Sequence, residues 1–390
     1  MLVKGRTKIG GFCIILSTLT LLSACTDEKM TLQEKGRSET PAVNTAAPAA
    51  NNAKTYKATL SDKLIVDATI DAPDVKEASV LPVEEAIFDS RKLCDTFLGS
   101  KDVKQEKNNS PDTSYVLGNK KLIIGQGQYF RFETSLGIYA DNVVDDGQDS
   151  EASKNTDKFK LNELDFMPKQ KAVEKAEDIL KALNITPHMP PKVYALDYET
   201  LQQEQEMLLK DEGFKSFVDV GKIKLKDKWA KEDECYYMIF KMDFHGIPCD
   251  TTHYIIQSNG IIVDGGRIII IYSKNGIELF NVNGTLYHQK DSKVNASKLI
   301  SIEQALDSLK EKYASVILKD ELKVTGISLI YEPVLINCTI NPKTGELSNK
   351  QMELVPAWIF NAEQNYSKTG KSYMKYSTVR INAITGKEIQ

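Results

Sequence analysis

Closely spaced turn signals divide residues 235–289 into short apolar runs. Asn-Gly and Gly-Gly dipeptides accept the positive φ angles that tight hairpin turns require, and four of them occur here: 259–260, 265–266, 275–276 and 283–284. The runs between them are rich in Ile, Val, Tyr and Phe, so the segment predicts four or five antiparallel strands. Residues 267–272 are apolar at almost every position, which predicts a strand buried on both faces.

The last third of the sequence reads as one helix followed by three strands. Ser301 and Gln304 have the spacing of a capping box, in which each side chain bonds the other residue's backbone N–H at a helix start. Apolar residues then recur at helical spacing: Ile302, Ala305, Leu306, Leu309 and Tyr313. Strand-like stretches follow at 325–337, 352–364 and 377–389. We expect the helix to cover one face of the sheet that these strands form.

Helix and strand patterns also alternate in the earlier part of the chain. Residues 81–99 predict one helix, because a single helical stripe collects Val83, Ala86, Ile87, Ser90, Cys94 and Phe97. Residues 114–125, with a turn at Gly118 and Asn119, and residues 128–141 predict the strands of a β-meander. Residues 168–185 predict a helix with Pro168 near its start. Cys94 is expected to be a core residue.

These patterns together predict an α+β protein with two lobes of antiparallel sheet, each packed by helices. The expected modules are an N-terminal α+β module at 56–165, a central helix with an antiparallel β-meander at 166–295, and a C-terminal module at 296–390. Residues 25–55 are rich in Thr, Ala, Asn, Pro and charge and nearly lack aromatic residues. Such a composition cannot bury enough apolar surface to fold, so this stretch predicts a flexible tether.

The C-terminal motifs resemble those of PepSY-type modules, in which such a capped helix precedes strands like "ELVPAWIF" and "NAITGKEI". The resemblance implies a PepSY-like C-terminal lobe, with Trp358 and Val355 packed under the helix and Pro356 at an edge or bulge. Thr385 and Gly386 would form the final hairpin turn, and Thr344 with Gly345 a similar earlier one.

A second resemblance is to the YycH/YycI-type extracytoplasmic regulators of Gram-positive bacteria, which carry a motif similar to "FHGIP" at 244–248. It implies a non-catalytic regulatory or binding role at the cell surface. A transmembrane helix anchors those regulators, whereas this sequence has a different N-terminus. The resemblance therefore does not imply that this protein regulates a kinase directly through a membrane-spanning helix.

The N-terminus has the pattern of a bacterial lipoprotein signal. Lys4, Arg6 and Lys8 precede an apolar run at 9–22 that is short for a membrane span, and "LLSAC" follows. That ending resembles a lipobox, which implies cleavage between Ala24 and Cys25 and diacylglycerylation of the Cys25 thiol. Two acyl chains anchor a protein stably. We therefore expect residues 1–24 to be a signal peptide, and the protein to be held by Cys25 on the outer face of the cytoplasmic membrane of a Gram-positive bacterium.

The stretch "HGIPCDTTH" gathers His245, Cys249 and His253 within nine residues. Paired histidines across a hairpin, with the cysteine as a third ligand, are weak candidates for a metal site. A Cys/His nucleophile pair is a further alternative. The residues favour a simpler interpretation, a turn between two strands that His245, Gly246 and Pro248 shape, and they predict no cofactor.

Other features narrow the functional classes. The formal net charge of −4 gives no electrostatic footprint for nucleic acid. The motifs of serine hydrolases, zinc peptidases and nucleotide-binding loops are missing. Cysteines at 94, 235, 249 and 338 lack close spacing and are expected to be unpaired, although disulfides stay open.

Three functional hypotheses follow from this sequence. The first is a non-enzymatic binding or regulatory lipoprotein that acts on an envelope protein or peptide through exposed sheet edges. The second is an envelope-polymer or solute-binding lipoprotein with an aromatic-lined cleft. The third, a hydrolase, would use Cys249 with His245 or His253.

Overall fold

The computed structural model describes residues 54–99, 103–106, 112–125, 129–147, 154–252, 255–256, 262–314, 316–343, 347–368 and 371–389. Six α-helices form within these residues: α1 (Ser90–Phe97), α2 (Ser135–Val143), α3 (Lys169–Ala182), α4 (Tyr198–Leu208), α5 (Glu212–Asp219) and α6 (Ile302–Ala314).

The strands of the described residues number 21 and run in this chain order: β1 (Lys54–Ser61), β2 (Leu64–Asp71), β3 (Glu77–Ala78), β4 (Leu81–Glu85), β5 (Lys104–Glu106), β6 (Thr113–Leu117), β7 (Lys120–Gly125), β8 (Tyr129–Glu133), β9 (Lys192–Leu196), β10 (Cys235–Lys241), β11 (Asp243–Phe244), β12 (Ile247–Pro248), β13 (Ile255–Ile256), β14 (Ile262–Val263), β15 (Gly266–Ser273), β16 (Gly276–Gly284), β17 (Tyr287–Gln289), β18 (Ser297–Lys298), β19 (Leu322–Ile340), β20 (Leu347–Lys368) and β21 (Lys371–Asn382). The protein is thus α+β with mostly antiparallel sheets.

The first large sheet joins strands from both ends of the described chain. Its order is β1-β2-β19-β20-β4-β17, and β21 also pairs with β20. All of its pairings are antiparallel except that of β2 with β19. Helix α6 packs on one face, where Ala305, Leu306 and Leu309 are buried.

The N-terminus of α6 has the predicted capping box. Gln304 Oε1 accepts from the backbone N–H of Ser301 at 2.9 Å, and Ser301 Oγ accepts from that of Gln304 at 3.3 Å. Two N–H groups that the helix itself leaves unpaired are thereby satisfied.

The second large sheet is antiparallel throughout and has helices on both faces. Its order is β5-β6-β7-β8-β16-β15-β10-β9. Helices α1 and α3 contact one face, and α2 contacts the other and carries α4 against it. In β15, Ile268 and Ile270 enter the core cluster on one side while Ile269 and Ile271 enter that on the other. The predicted doubly buried strand at 267–272 is confirmed.

Aromatic side chains dominate the packing on both faces of this sheet. Phe97 from α1 stacks on Phe132 with ring centroids 5.0 Å apart. On the opposite face, Tyr139 from α2 stacks on Trp229 at 4.4 Å. Such pairs add stability beyond the area they bury, so they hold α1 against the sheet and α2 against the segment that precedes β10.

The two sheets cut across the expected modules at 56–165, 166–295 and 296–390. Strands β1, β2 and β4 come from the first module and β17 from the second, yet all pair within the sheet of the third. The physical reason is that β19 and β20 are long, and their edges bind strands from anywhere in the chain. Local patterns carry no information about such distant partners.

Two local predictions were wrong. Residues 81–85 are the strand β4, and the helix begins only at Ser90, where Asp89 Oδ1 accepts from the backbone N–H of Lys92 at 2.7 Å. The strand β8 ends at Glu133, after which Thr134 caps the helix α2 by accepting from the N–H of Gly137. Cys94 is half-buried and contacts the core.

The two residues that the PepSY resemblance places under the helix lie on opposite faces of the sheet. Trp358 is buried and its Nε1–H donates to the carbonyl of Ile300, just before α6, at 3.0 Å. Val355 pairs with Glu332 and lies on the opposite face, because side chains alternate along a strand. The expectation that both residues pack under the helix is therefore wrong for Val355.

Pro356 lies where the neighbour of β20 changes. Strand β4 pairs with residues up to Leu354 and β21 with residues from Ala357. The carbonyl of Pro356 accepts from Ala383 N–H in this gap. The final turn at Gly386, whose φ is +71°, is confirmed, whereas Thr344 and Gly345 lie outside the described residues.

Candidate functional site

The "HGIPCDTTH" stretch begins with a small hairpin. Strands β11 and β12 pair through Asp243 with Pro248 and Phe244 with Ile247. His245 and Gly246 form its turn with φ angles of +52° and +80°, the conformation of a two-residue hairpin loop. His245 is exposed. The predicted turn is confirmed.

The residues after this hairpin join the two large sheets. Cys249 forms a parallel bridge with Tyr331 of β19, and the N–H of Asp250 donates to the Tyr331 carbonyl at 2.9 Å. The carbonyl of Asp250 in turn accepts from the N–H of Gly266, at the start of β15, at 3.2 Å. We call residues 249–252 the junction segment, since its backbone bonds to both sheets.

Cys249 does not fit the role of an activated nucleophile. Its side chain is buried, and burial raises the pKa of the thiol well above its usual value, which keeps it protonated. No hydrogen bond links it to the exposed His245 in the described structure. The described residues contain no group of three His, Cys, Asp or Glu side chains that could hold a metal ion. His253 lies outside them.

A buried charged cluster lies beside the junction segment. Glu332 of β19 is fully buried, and its Oε1 is 2.8 Å from Nε of Arg380 on β21. The N–H of Arg380 is not directed at this oxygen, so the contact is an ion-pair distance without a well-aligned hydrogen bond. Asp250 approaches the same guanidinium, with Oδ2 3.9 Å from Nη2.

Two carboxyl groups thus compete for one cation. Burial raises the pKa of Glu332 well above its usual value, and the neighbouring Asp250 raises it further, while Arg380 opposes both effects. Burial beside a second carboxyl group therefore favours the protonated form of Glu332, and both carboxyl groups lie within ion-pair distance of Arg380. The cluster ties the junction segment to β19 and β21 through charge as well as through backbone bonds.

The sequence interpretation missed Glu332 and Arg380. One signal was present, since Glu332 interrupts an otherwise apolar strand, "SLIYEPVLI". An ionisable residue at a core position needs a charged or hydrogen-bonded partner. The partner itself could not be named, because Asp250 and Arg380 approach only through the sheet pairing.

An exposed sheet edge in the described residues is the outer edge of β21. This strand pairs with β20 along its whole length. Residues 387–389 fold back on its last residues, but none of the described residues pairs with the outer side of residues 371–379. Backbone N–H and C=O groups on such an edge are free to bond to another strand. We call residues 371–379 the β21 edge.

Large side chains stay exposed along the β21 edge. Tyr373, Met374 and Tyr376 are 53%, 48% and 61% exposed, and Tyr366 on β20, directly opposite Tyr373, is 40% exposed. Side chains alternate along a strand, so Tyr373 lies on one face and Met374 and Tyr376 on the other. A strand added here would find apolar contacts on both faces.

The other predicted site residues have simple placements. All four cysteines in the described residues are unpaired, with Cys235 and Cys249 buried and Cys94 and Cys338 half-buried. Ala24 and Cys25, the expected cleavage and lipidation residues, lie outside the described residues. Within the described ranges, no helix has the length and apolar character needed to cross a membrane.

Comparisons with known proteins give a likeness of fold. No protein-family model and no curated protein matches the sequence. A crystal structure at 1.45 Å resolution of an uncharacterised protein from Eubacterium rectale is similar, with a TM-score of 0.57 and 19% sequence identity. The match covers 86% of this chain and 93% of the other. At this identity it concerns the fold alone.

Proposed function

We propose that this protein is a non-enzymatic binding or regulatory lipoprotein on the outer face of the cytoplasmic membrane. Its partner would be an envelope protein or peptide that contributes an extended segment, and that segment would pair with the β21 edge. The observation that carries the proposal is the combination of unpaired backbone and exposed aromatic side chains along residues 371–379.

The physical basis is β-augmentation. Main-chain hydrogen bonds along the edge supply affinity, and contacts with alternating side chains supply specificity. Exposed tyrosines suit this role, since each offers a large, rigid contact area together with a polar tip. Among the described strands, β21 pairs with β20 on one side. On its outer side, a partner strand would meet no competing strand among the described residues.

The anchor and the modular description belong to the same proposal. Diacylglyceryl Cys25 would hold the chain at the membrane, and residues 25–55 would let the body reach a neighbouring envelope protein. Residues 296–390 would supply α6 and the long strands of a PepSY-like lobe, which β1, β2, β4 and β17 complete, in a two-lobed body. The position of α6 over the sheet and the bond from Trp358 to Ile300 support this assignment.

The proposal is tested by placing a photo-crosslinker at single surface positions on intact cells. We would substitute p-benzoyl-phenylalanine for Tyr376 in one strain and for Ile317, which is 92% exposed and distant in sequence from the edge, in another. A single envelope protein crosslinked from Tyr376 and not from Ile317, through a mapped extended segment, is the expected result.

Affinity then provides the quantitative check. For the identified segment, the double variant Tyr373→Ala/Tyr376→Ala should weaken binding by about tenfold or more, as expected for aromatic contacts at the centre of an interface. The matched control Ile317→Ala should bind like wild type. Equal crosslinking at both positions, or unchanged affinity of the double variant, would refute edge binding.

A further inference from the structure

The β21 edge presents two faces of different charge to a strand that pairs with it. Alternate residues of a strand point to the same face, so Tyr373 and Lys375 share one face, and Met374 and Tyr376 share the other. All four side chains are exposed. The pairing with β20 fixes which residue lies behind each of them, and these residues decide what a partner strand meets on either face.

The first face carries a positive charge without a counter-charge. Lys375 lies directly opposite Gln364 of β20, a neutral amide whose Nε2–H donates to the carbonyl of Asp320 at 3.0 Å. Lys375 itself makes neither an ion pair nor a hydrogen bond with any residue that the structure describes. Its ammonium group is therefore free to pair with a charge on another molecule.

The second face has a carboxylate behind the edge. Tyr376 lies directly opposite Glu363 of β20. On its other side Glu363 faces Lys323 of β19, which forms its ion pair with Asp67 at 3.3 Å. A partner residue opposite Tyr376 would be two strand spacings, about 10 Å, from Glu363. Charges at this distance still interact at moderate ionic strength, so an acidic residue is disfavoured in that position.

A second copy of the chain is a poorer occupant of this edge. Lys375 is the middle residue of the β21 edge, so two copies that pair symmetrically along its whole length place their Lys375 side chains directly opposite each other. Like charges in that position oppose strand pairing. A shifted register separates the lysines but shortens the paired ladder. Lysine on an edge strand is a known protection against such self-association.

We propose that the partner segment of the β21 edge carries an aspartate or glutamate opposite Lys375, with an apolar residue on each side of it. The acidic residue pairs with the ammonium group on the first face. Its two neighbours in the partner point to the second face, where they contact Met374 and Tyr376. The same apolar–acidic–apolar order results whether the partner strand runs parallel or antiparallel. This inference rests on the proposed function and adds the chemistry of the partner.

Lys375 acts here as a specificity residue that both attracts and excludes. Cross-strand pairs of opposite charge strengthen strand pairing and like charges weaken it, each by up to about fivefold in a binding constant. Exchanging the acidic residue of the partner for lysine should therefore weaken binding by on the order of fivefold or more. A neutral residue in that position should give an intermediate affinity. Specificity of this kind depends on the excluded partners as much as on the favoured one.

The test selects partner segments without assuming their identity. A library of nine-residue peptides, randomised at every position and displayed on phage, is selected for binding to the full chain. The same selection on Tyr373→Ala/Tyr376→Ala identifies the peptides that need the edge. Synthetic forms of these peptides, with the acidic residue kept or replaced by lysine, are then titrated against wild type, Lys375→Glu and Lys120→Glu. Lys120→Glu makes the same charge change at an exposed lysine of β7 in the other large sheet.

We expect edge-dependent peptides to have an acidic residue between two apolar ones. Wild type and Lys120→Glu should prefer the acidic form by about fivefold or more, and Lys375→Glu should prefer the lysine form. Edge-dependent peptides without an acidic preference, or a preference that Lys375→Glu leaves unchanged, would overturn this inference while binding at the edge still stands.

Two other outcomes concern the occupant of the edge. If no selected peptide needs Tyr373 and Tyr376, both this inference and the proposed edge binding fail. Sedimentation of the full chain covers the second copy. A dimer of wild type that Tyr373→Ala/Tyr376→Ala abolishes would overturn the inference, because another molecule of the same chain would then occupy the edge.

Discussion

Replacing Glu332 by Gln should stabilise the protein at neutral pH, although it removes a partner of Arg380. Gln has the shape of a protonated Glu and carries no charge to bury. Glu332 is fully buried beside Asp250, and burial raises its pKa well above the usual value. Between the unfolded and the folded pKa, the native protein therefore binds more protons than the unfolded chain, and the free energy of unfolding falls as the pH rises through this range.

The magnitude follows from linkage between protonation and folding. A Glu in the unfolded chain has a pKa of about 4.3, so protonating it at pH 7 costs at most 2.303RT multiplied by about 2.7, or about 3.7 kcal/mol. Because the pKa is raised in the folded state, this carboxyl favours folding fully only below the unfolded pKa. Its contribution falls as the pH rises toward the folded pKa. Glu332→Gln should therefore match wild type near pH 4 and exceed it by up to about 3.7 kcal/mol at pH 7.

The assay is unfolding in urea between pH 4 and pH 8, monitored through the fluorescence of Trp229 and Trp358. The free energies of unfolding are compared where the m-value, their dependence on urea concentration, is the same for both proteins. The control is Glu353→Gln, which changes a half-buried carboxylate of the neighbouring strand β20. Glu353 lies on the same face of the sheet as Glu332. It should lack this pH-dependent gain. A loss of stability in Glu332→Gln at pH 7, on the order of 3–5 kcal/mol, would refute the reasoning, because it would mean that Glu332 is ionised and paired with Arg380.

Two further predictions concern the close packing at the junction segment and the two buried thiols. Gly265→Ala should lower the free energy of unfolding by on the order of 3 kcal/mol, because its Cβ would lie 2.0 Å from the Asp250 carbonyl oxygen. Gly326→Ala, whose Cβ would meet only ordinary contacts at 3.6 Å, should show no comparable loss in the same denaturation experiment. Cys249 and Cys235 should resist an aromatic disulfide reagent in the native protein and react in denaturant, since both thiols are buried and burial raises their pKa. Rapid native labelling of Cys249, read by peptide mass spectrometry, would contradict the burial described here.

Local sequence patterns predicted the parts of this fold that local forces determine. The capped helix α6 and the strand β15 were recognised because their periodicity and end signals lie within a few residues of each other. The helix α2 was missed although it has a cap signal at Thr134, since the apolar residues after it were interpreted as a continuing strand. Short helices of this kind depend on packing more than on their own pattern.

The candidate sites depend on pairings that no local pattern contains. The β21 edge exists because β4 and β21 share one side of β20, and that sharing is visible only in the assembled sheet. Lys375 and Glu363 lie on neighbouring strands, but their separation onto opposite faces follows from the strand register. A slip of one residue would have placed them on the same face.

The parallel pairing of β2 with β19 also has a consequence for the order in which the protein can be completed. Leu64 pairs with Leu322, so 322 − 64 = 258 residues separate the two partners along the chain. A ribosome adds about 5–20 residues per second, so β1 and β2 wait for at least about 13 seconds before their neighbour is synthesised. During that interval the hairpin has an unpaired strand edge and an uncovered apolar face. The sheet that β1 and β2 begin can therefore be completed only when nearly the whole chain is available.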